Sequence, residues 1–186
     1  MPTVTPQDRL IAGYAALAVA INVIESGFPS PLPGVKPGLA NVVTLIVLLR
    51  HGWRAATAVT LLRIVVGSLV TGSFLAPGFW LACAGAGAAL AALALGASYN
   101  RIGAHIDKRW TLSPVGLSTL AAQAHICGQF ALARWLLIPH PGLARLLPPL
   151  LLASLIFGIA TGIATQRVLA ELALAKSPTV KPSQET

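Results

Sequence analysis

The sequence predicts an all-α polytopic membrane protein: a helical bundle of about six transmembrane helices, with a re-entrant loop between helices 1 and 2. Three observations predict it. Of the 186 residues 55% are hydrophobic and only 10% charged, with a mean hydropathy of +0.77. A soluble domain carries about 25% charged residues, so this chain lacks the polar surface that water requires. The apolar residues gather into six segments, over about 9–24, 39–49, 53–71, 77–97, 113–138 and 147–170. The stretch from Glu25 to Asn41 separates the first two and holds four prolines and three glycines. Proline removes donors and glycine frees φ, so this is irregular backbone. At membrane depth such backbone is tolerated only where it is buried in protein or lines a cavity.

Most segments approach the ~20 residues that a full span needs. The second is too short unless part of the Gly34–Gly38 stretch descends into the membrane, which is why a re-entrant loop is expected. The first segment also has the outline of a signal peptide: Arg9, an apolar run, then Ala18-Val19-Ala20 as a cleavage-like site. Against that reading, Asn22 and Glu25 continue a helical polar face. The expected organisation is a cytoplasmic N-terminus (1–8), one six-helix membrane domain (9–172) and a disordered cytoplasmic tail (173–186).

A net charge of +8 would point to nucleic acid in a soluble protein. Here the basic residues sit mostly in short connections, so they report topology and no nucleic acid is expected. With the N-terminus inside, Arg9, Arg50, Arg54, Arg101, Lys108, Arg109, Arg167, Lys176 and Lys181 are cytoplasmic. Only Lys36 and Arg145 lie outside, with Arg134 near the outer end of segment 5. The bias places both termini in the cytoplasm. Cys83 and Cys127 fall inside hydrophobic segments and read as small buried residues.

The polar groups within the spans are the candidate site. Arg63 lies ten residues into segment 3, about 15 Å deep at 1.5 Å per residue. Its helical face is Ala56, Thr60, Gly67 and Thr71, while Leu61, Leu62, Ile64, Val65 and Leu69 occupy the others. Arg63 therefore points inward, toward either Glu25 as a structural ion pair or a ligand. Tyr14, Ala18, Asn22 and Glu25 share one face of helix 1, and Ala12, Ala16 and Ala20 form a small-residue stripe on the opposite face. Such stripes let helices approach closely. His125 is mid-way along segment 5, with Ser118, Ala122 and Gln129 on its face. No second histidine stands at ligand spacing, so no metal is expected. Asn41 opens segment 2, where it could cap the helix or meet a ligand. That helix N-terminus would also favour an anion. Gly158 and Gly162 form a GxxxG in segment 6, a close-packing signal.

The five acids are Asp8, Glu25, Asp107, Glu171 and Glu185, no two within a helical turn of each other. That argues against the Mg²⁺-carboxylate chemistry of prenyl chain elongation. No Gly-x-x-x-x-Gly-Lys-Ser/Thr loop is present, and no nucleophile–base–acid set. The chain is expected to be no enzyme and to need no cofactor. It reads as a binder, a transporter or a non-catalytic membrane subunit.

Three stretches carry a family resemblance. They are Pro-Gly-Val-Lys-Pro-Gly-Leu-Ala-Asn-Val-Val-Thr-Leu (33–45), Leu-Leu-Arg-Ile-Val-Val-Gly-Ser-Leu (61–69) with Gly72-Ser73-Phe74-Leu75, and Ser-Pro-Val-Gly-Leu-Ser (113–118) with Ala124-His125 and Gly128-Gln129. They resemble the family described as Gx transporter or heptaprenyl diphosphate synthase component I, over about 10–170. That family is similar in turn to the S components of energy-coupling-factor transporters. The resemblance implies a six-helix fold in a bacterial-type cytoplasmic (inner) membrane, with a small-molecule substrate bound near the outer side. It also implies a membrane T component with ATPase subunits, docked on an alanine stripe that Ala12, Ala16 and Ala20 match. The family pattern has Asn after the histidine, then Leu-Gly-Gln; here Ile126-Cys127 precede Gly128-Gln129, so substrate identity does not transfer.

The expected function is uptake of a small, partly anionic molecule through a cavity built from Glu25, Lys36, Asn41, Arg63, His125 and Gln129. The alternative is a non-catalytic component I in prenyl-quinone synthesis, recruiting a soluble prenyl synthase through the basic loop Arg101–Arg109.

Overall fold

A computed structural model describes residues 5–27, 38–107, 109 and 111–175. Of the expected re-entrant stretch all but Gly38, Lys36 included, lies outside the described residues, as do Lys108 and residues 176–186 of the expected tail with Lys176 and Lys181. The described residues form six α-helices and no strand: α1 (Pro6–Gly27), α2 (Leu39–His51), α3 (Trp53–Val70), α4 (Pro77–Ile106), α5 (Pro114–Leu132) and α6 (Leu147–Leu174). A π-helical turn (Ala133–Leu137) and a 3-10 helix (Pro141–Leu146) join the last two.

Local chemistry sets the helix ends. Asp8 accepts from the Thr5 amide at 2.9 Å while its own amide donates to the Thr5 hydroxyl at 3.2 Å. With Pro6 following, this reciprocal cap starts α1. A one-way cap starts α5, where the Ser113 hydroxyl accepts from the Gly116 amide and Pro114 follows. Gly52 alone separates α2 from α3; its φ of +82° is open to glycine and costly for other residues.

Two boundaries differ most from the sequence expectation, beyond the three or four residues by which α1 and the end of α6 exceed it. α4 continues to Ile106, well past 97, so Arg101 is on a helix and only 107–113 connect α4 to α5. Polar residues such as Asn100 and Arg101 end an apolar run without ending a helix. Asn100 then staples the connection: its amide accepts from the Leu112 N–H at 2.6 Å and donates to the Leu112 carbonyl at 2.9 Å. At the other end of the bundle, α5 stops at Leu132, where the chain widens into the π-helical turn instead of running on to 138.

Among the described residues, four helical stretches are long and apolar enough to cross a membrane: Pro6–Gly27, Trp53–Val70, Pro77–His105 and Pro141–Leu174. α5 has the length, but Gln123, His125 and Gln129 dilute its hydropathy. α2 has 13 residues, about 20 Å against a ~30 Å hydrocarbon core. The outward faces are apolar: Leu61, Leu62, Val65 and Leu69 on α3 and Leu152, Ile156, Ile159 and Ile163 on α6 are exposed. Water would not tolerate so much apolar surface, and lipid would. Trp80 and Trp135 stand exposed toward the α5–α6 end, as interfacial aromatics do.

The helices form two groups. In one, α1 and α2 pack on α3 around Ala15, Ala18, Val43, Val47, Ala55, Ala56 and Val59. In the other, α5 is held between α4 and α6, the two most extensive helix contacts in the molecule. Glycines permit that grip. A Cβ on Gly162 would stand 2.6 Å from the Val115 Cα, and one on Gly158 2.9 Å from the Thr119 Cα. The α5–α6 seam is also hydrogen-bonded, Ser118 to Thr161 at 2.9 Å and the Gln123 amide to the Leu151 carbonyl at 3.0 Å.

Candidate functional site

The two groups meet around a cavity of about 400 Å³ at the end of the bundle that holds the C-terminus of α1 and the N-terminus of α2. From the first group Asn22, Glu25, Asn41, Arg63 and Ser68 line it; from the second come Phe79, His125, Gln129, Ser154, Phe157 and Thr161. Five of the six residues singled out in the sequence, Glu25, Asn41, Arg63, His125 and Gln129, share this one space.

The helices deliver them for simple reasons. α3 turns Ala56, Thr60, Arg63 and Gly67 inward and its leucines outward. α1 buries Ala18 and Glu25 on the side that faces α3 and leaves Ala12, Ala16 and Ala20 exposed. Asn22 lies so close to α3 that a Cβ on Gly67 would come within 2.8 Å of its amide nitrogen. On α5, His125 and Gln129 reach across the space that Gly85 of α4 leaves, since a Cβ there would meet both at 2.7 Å.

Arg63 and Glu25 make no ion pair among the described residues. Glu25 accepts the Leu39 backbone N–H at 2.6 Å, so its carboxylate sits at the first turn of α2, the place where a helix favours an anion. Arg63 instead donates to the Asn41 side-chain oxygen at 2.9 Å. Asn41 therefore does not cap α2; its amide orients the arginine, and the residue at the cap position is Gly38 with φ +74°. Both charged groups are more than nine-tenths buried, with relative exposures of 6% for Glu25 and 8% for Arg63. A guanidinium has five N–H donors, so a single bond to Asn41 leaves capacity aimed at the cavity.

His125 adds a second unsatisfied group. Its Nδ1 is buried without a hydrogen-bond partner among the described residues, a state that costs about 1–3 kcal/mol unless water or a ligand fills it. Beneath it a smaller pocket of about 30 Å³, lined by Thr44, Thr60, Arg63, Ser118, His125 and Thr161, has room for a single water. Asn41, Arg63, Ala122, His125 and Thr161 line both spaces and so form the floor of the larger one.

The family model described as heptaprenyl diphosphate synthase component I matches residues 14–168, the greater part of the chain, from within α1 to within α6. The chain belongs to the heptaprenyl diphosphate synthase component I family. No curated protein and no solved structure matches it. In this component I chain the matched region contains the whole described lining of the cavity.

The sequence reading passed over Ser68, Phe79, Ser154, Phe157 and Thr161. A signal was available for α6, where Ser154, Gly158, Thr161 and Thr165 recur at helical spacing and all are buried. Phe79 had none, because its place depends on how α3 meets α4, and Ser68 stood within the 61–69 stretch but off the helical face of Arg63.

Proposed function

We propose that this chain is a non-catalytic membrane subunit that holds a small, anion-bearing molecule and works beside a soluble prenyl synthase component. Arg63 carries the binding half of the proposal: a buried guanidinium opening on a cavity, with an amide and, among the described residues, no carboxylate in contact. A charge inside a membrane protein with no carboxylate in direct contact is expensive, and an anionic ligand offsets that cost. Family membership supports the partner half. The scattered acids support a subunit that does not itself elongate prenyl chains. Six spans are proposed, with α2 completed by a re-entrant segment and both termini on the cytoplasmic side of a bacterial-type inner membrane. The membrane domain would cover 9–172 and the tail 173–186. Arg101 near the end of α4 and Arg109 in the α4–α5 connection would form the face offered to the synthase. Tagged chain should co-purify a soluble prenyl synthase, and neutralising Arg101, Lys108 and Arg109 together should release it. Capture unchanged by that triple variant would remove this face from the proposal.

One observation favours a second reading, an S-component-like uptake subunit. Ala12, Ala16 and Ala20 lie exposed along the outer side of α1, where a membrane T component with its ATPase subunits would dock. Ala16→Leu should break such a complex while leaving synthase capture intact. The reverse result would favour neither docking on α1 nor uptake.

A further inference from the structure

Arg63 and Glu25 are the only formally charged side chains among the described residues that line the 400 Å³ cavity. They are opposite in sign and buried, and each is tied to a neutral group in place of the other: Arg63 to the Asn41 amide, Glu25 to the Leu39 N–H. Only one Glu25 oxygen is engaged in this way. Two unlike charges sharing a cavity without meeting leave a gap that a molecule of the right length would bridge, with an acidic group toward Arg63 and a cationic or N–H-rich group toward Glu25. Resting on the binding half of the reading above, we infer that the cavity is a site for a small zwitterion and not for a prenyl diphosphate.

Charge and size both argue for it. A diphosphate brings several negative charges to a site whose described lining holds one arginine and no other cation, and Glu25 would repel it. The cavity offers about 400 Å³, near the low end of ordinary small-molecule sites, which suits a small molecule or a head group. Phe79 and Phe157 supply apolar wall for a short carbon body. A zwitterionic phospholipid head group and a free zwitterionic metabolite satisfy the same chemistry.

The test incubates the detergent-purified full chain separately with an aqueous small-molecule extract and with a total lipid extract of the cells that express it. Retained compounds are then read by mass spectrometry in both ion polarities. The expected result is a compound carrying both an acid and a basic nitrogen, in the aqueous arm for a metabolite or the lipid arm for a head group. Retention should fall at least about tenfold in both Arg63→Gln and Glu25→Gln. Both substitutions keep a hydrogen-bonding group, for Asn41 and for the Leu39 N–H respectively, so they remove charge with least damage. Monodisperse elution checks their folding. The chemical class retained by the unaltered chain decides the inference without them. A purely anionic compound, or a prenyl diphosphate, retained equally by Glu25→Gln would overturn the zwitterion and leave the binding reading standing. Retention of nothing in either arm would overturn both.

Discussion

The α1–α3 group and the α4–α6 group build opposite halves of one cavity by opposite means. The first supplies the charge. Glu25, Asn41 and Arg63 are held by side-chain hydrogen bonds across helices, and the short α2 leaves its N-terminus within the bundle for Glu25 to reach. The second supplies fit. Its helices approach through Gly85, Gly128, Gly158 and Gly162, and it contributes neutral groups, His125, Gln129, Ser154 and Thr161, to the shared space. In lipid there is no hydrophobic drive between helices, so close packing must hold the second half while hydrogen bonds position the first. The site can therefore be damaged chemically from one side and mechanically from the other.

The largest effect should come from the charged half. Arg63→Ala should weaken ligand retention about 100-fold or more, read as loss of the co-purified molecule. Unchanged retention would sink the site. Next comes the packed half. Gly162→Leu drives a side chain into the Val115 backbone and should cost about 1–3 kcal/mol, seen as a lower thermal midpoint in detergent. If the midpoint stays put, the α5–α6 seam is not as tight as drawn. Gly67→Ala should cost about 1 kcal/mol or less, because the atom in its way is the mobile end of Asn22. Its main trace should be weaker retention, as Asn22 is pushed into the cavity. Smallest of all, Gly87→Ala meets nothing within 4 Å and should leave the midpoint unchanged or raise it by up to ~1 kcal/mol equivalent. A large loss there would mean that the exposed side of α4 is covered by something else.

Much of the fold was legible because membranes impose strong patterns. The apolar segments predicted α2, α3 and the starts of α4 and α6 within a residue or two. They missed the extension of α4 to Ile106, where helix continues through polar sequence, and the early end of α5, where the π-helical turn keeps apolar character. The inward direction of Arg63 followed from its small and polar helical face.

What the sequence by itself determined is the list of groups too polar for lipid: Glu25, Asn41, Arg63, His125 and Gln129. Periodicity sorts each helix into faces, and a charged group has one face on which it survives. What only the tertiary structure decided is who meets whom. Arg63 could have paired with Glu25, and Asn41 could have capped α2. Instead the carboxylate takes the helix end and the amide takes the guanidinium. Faces are local and follow from a period of 3.6 residues, but partners depend on the height and crossing of helices far apart in the chain. That choice leaves two unlike charges lining one cavity without touching, where an ordinary buried ion pair could have formed.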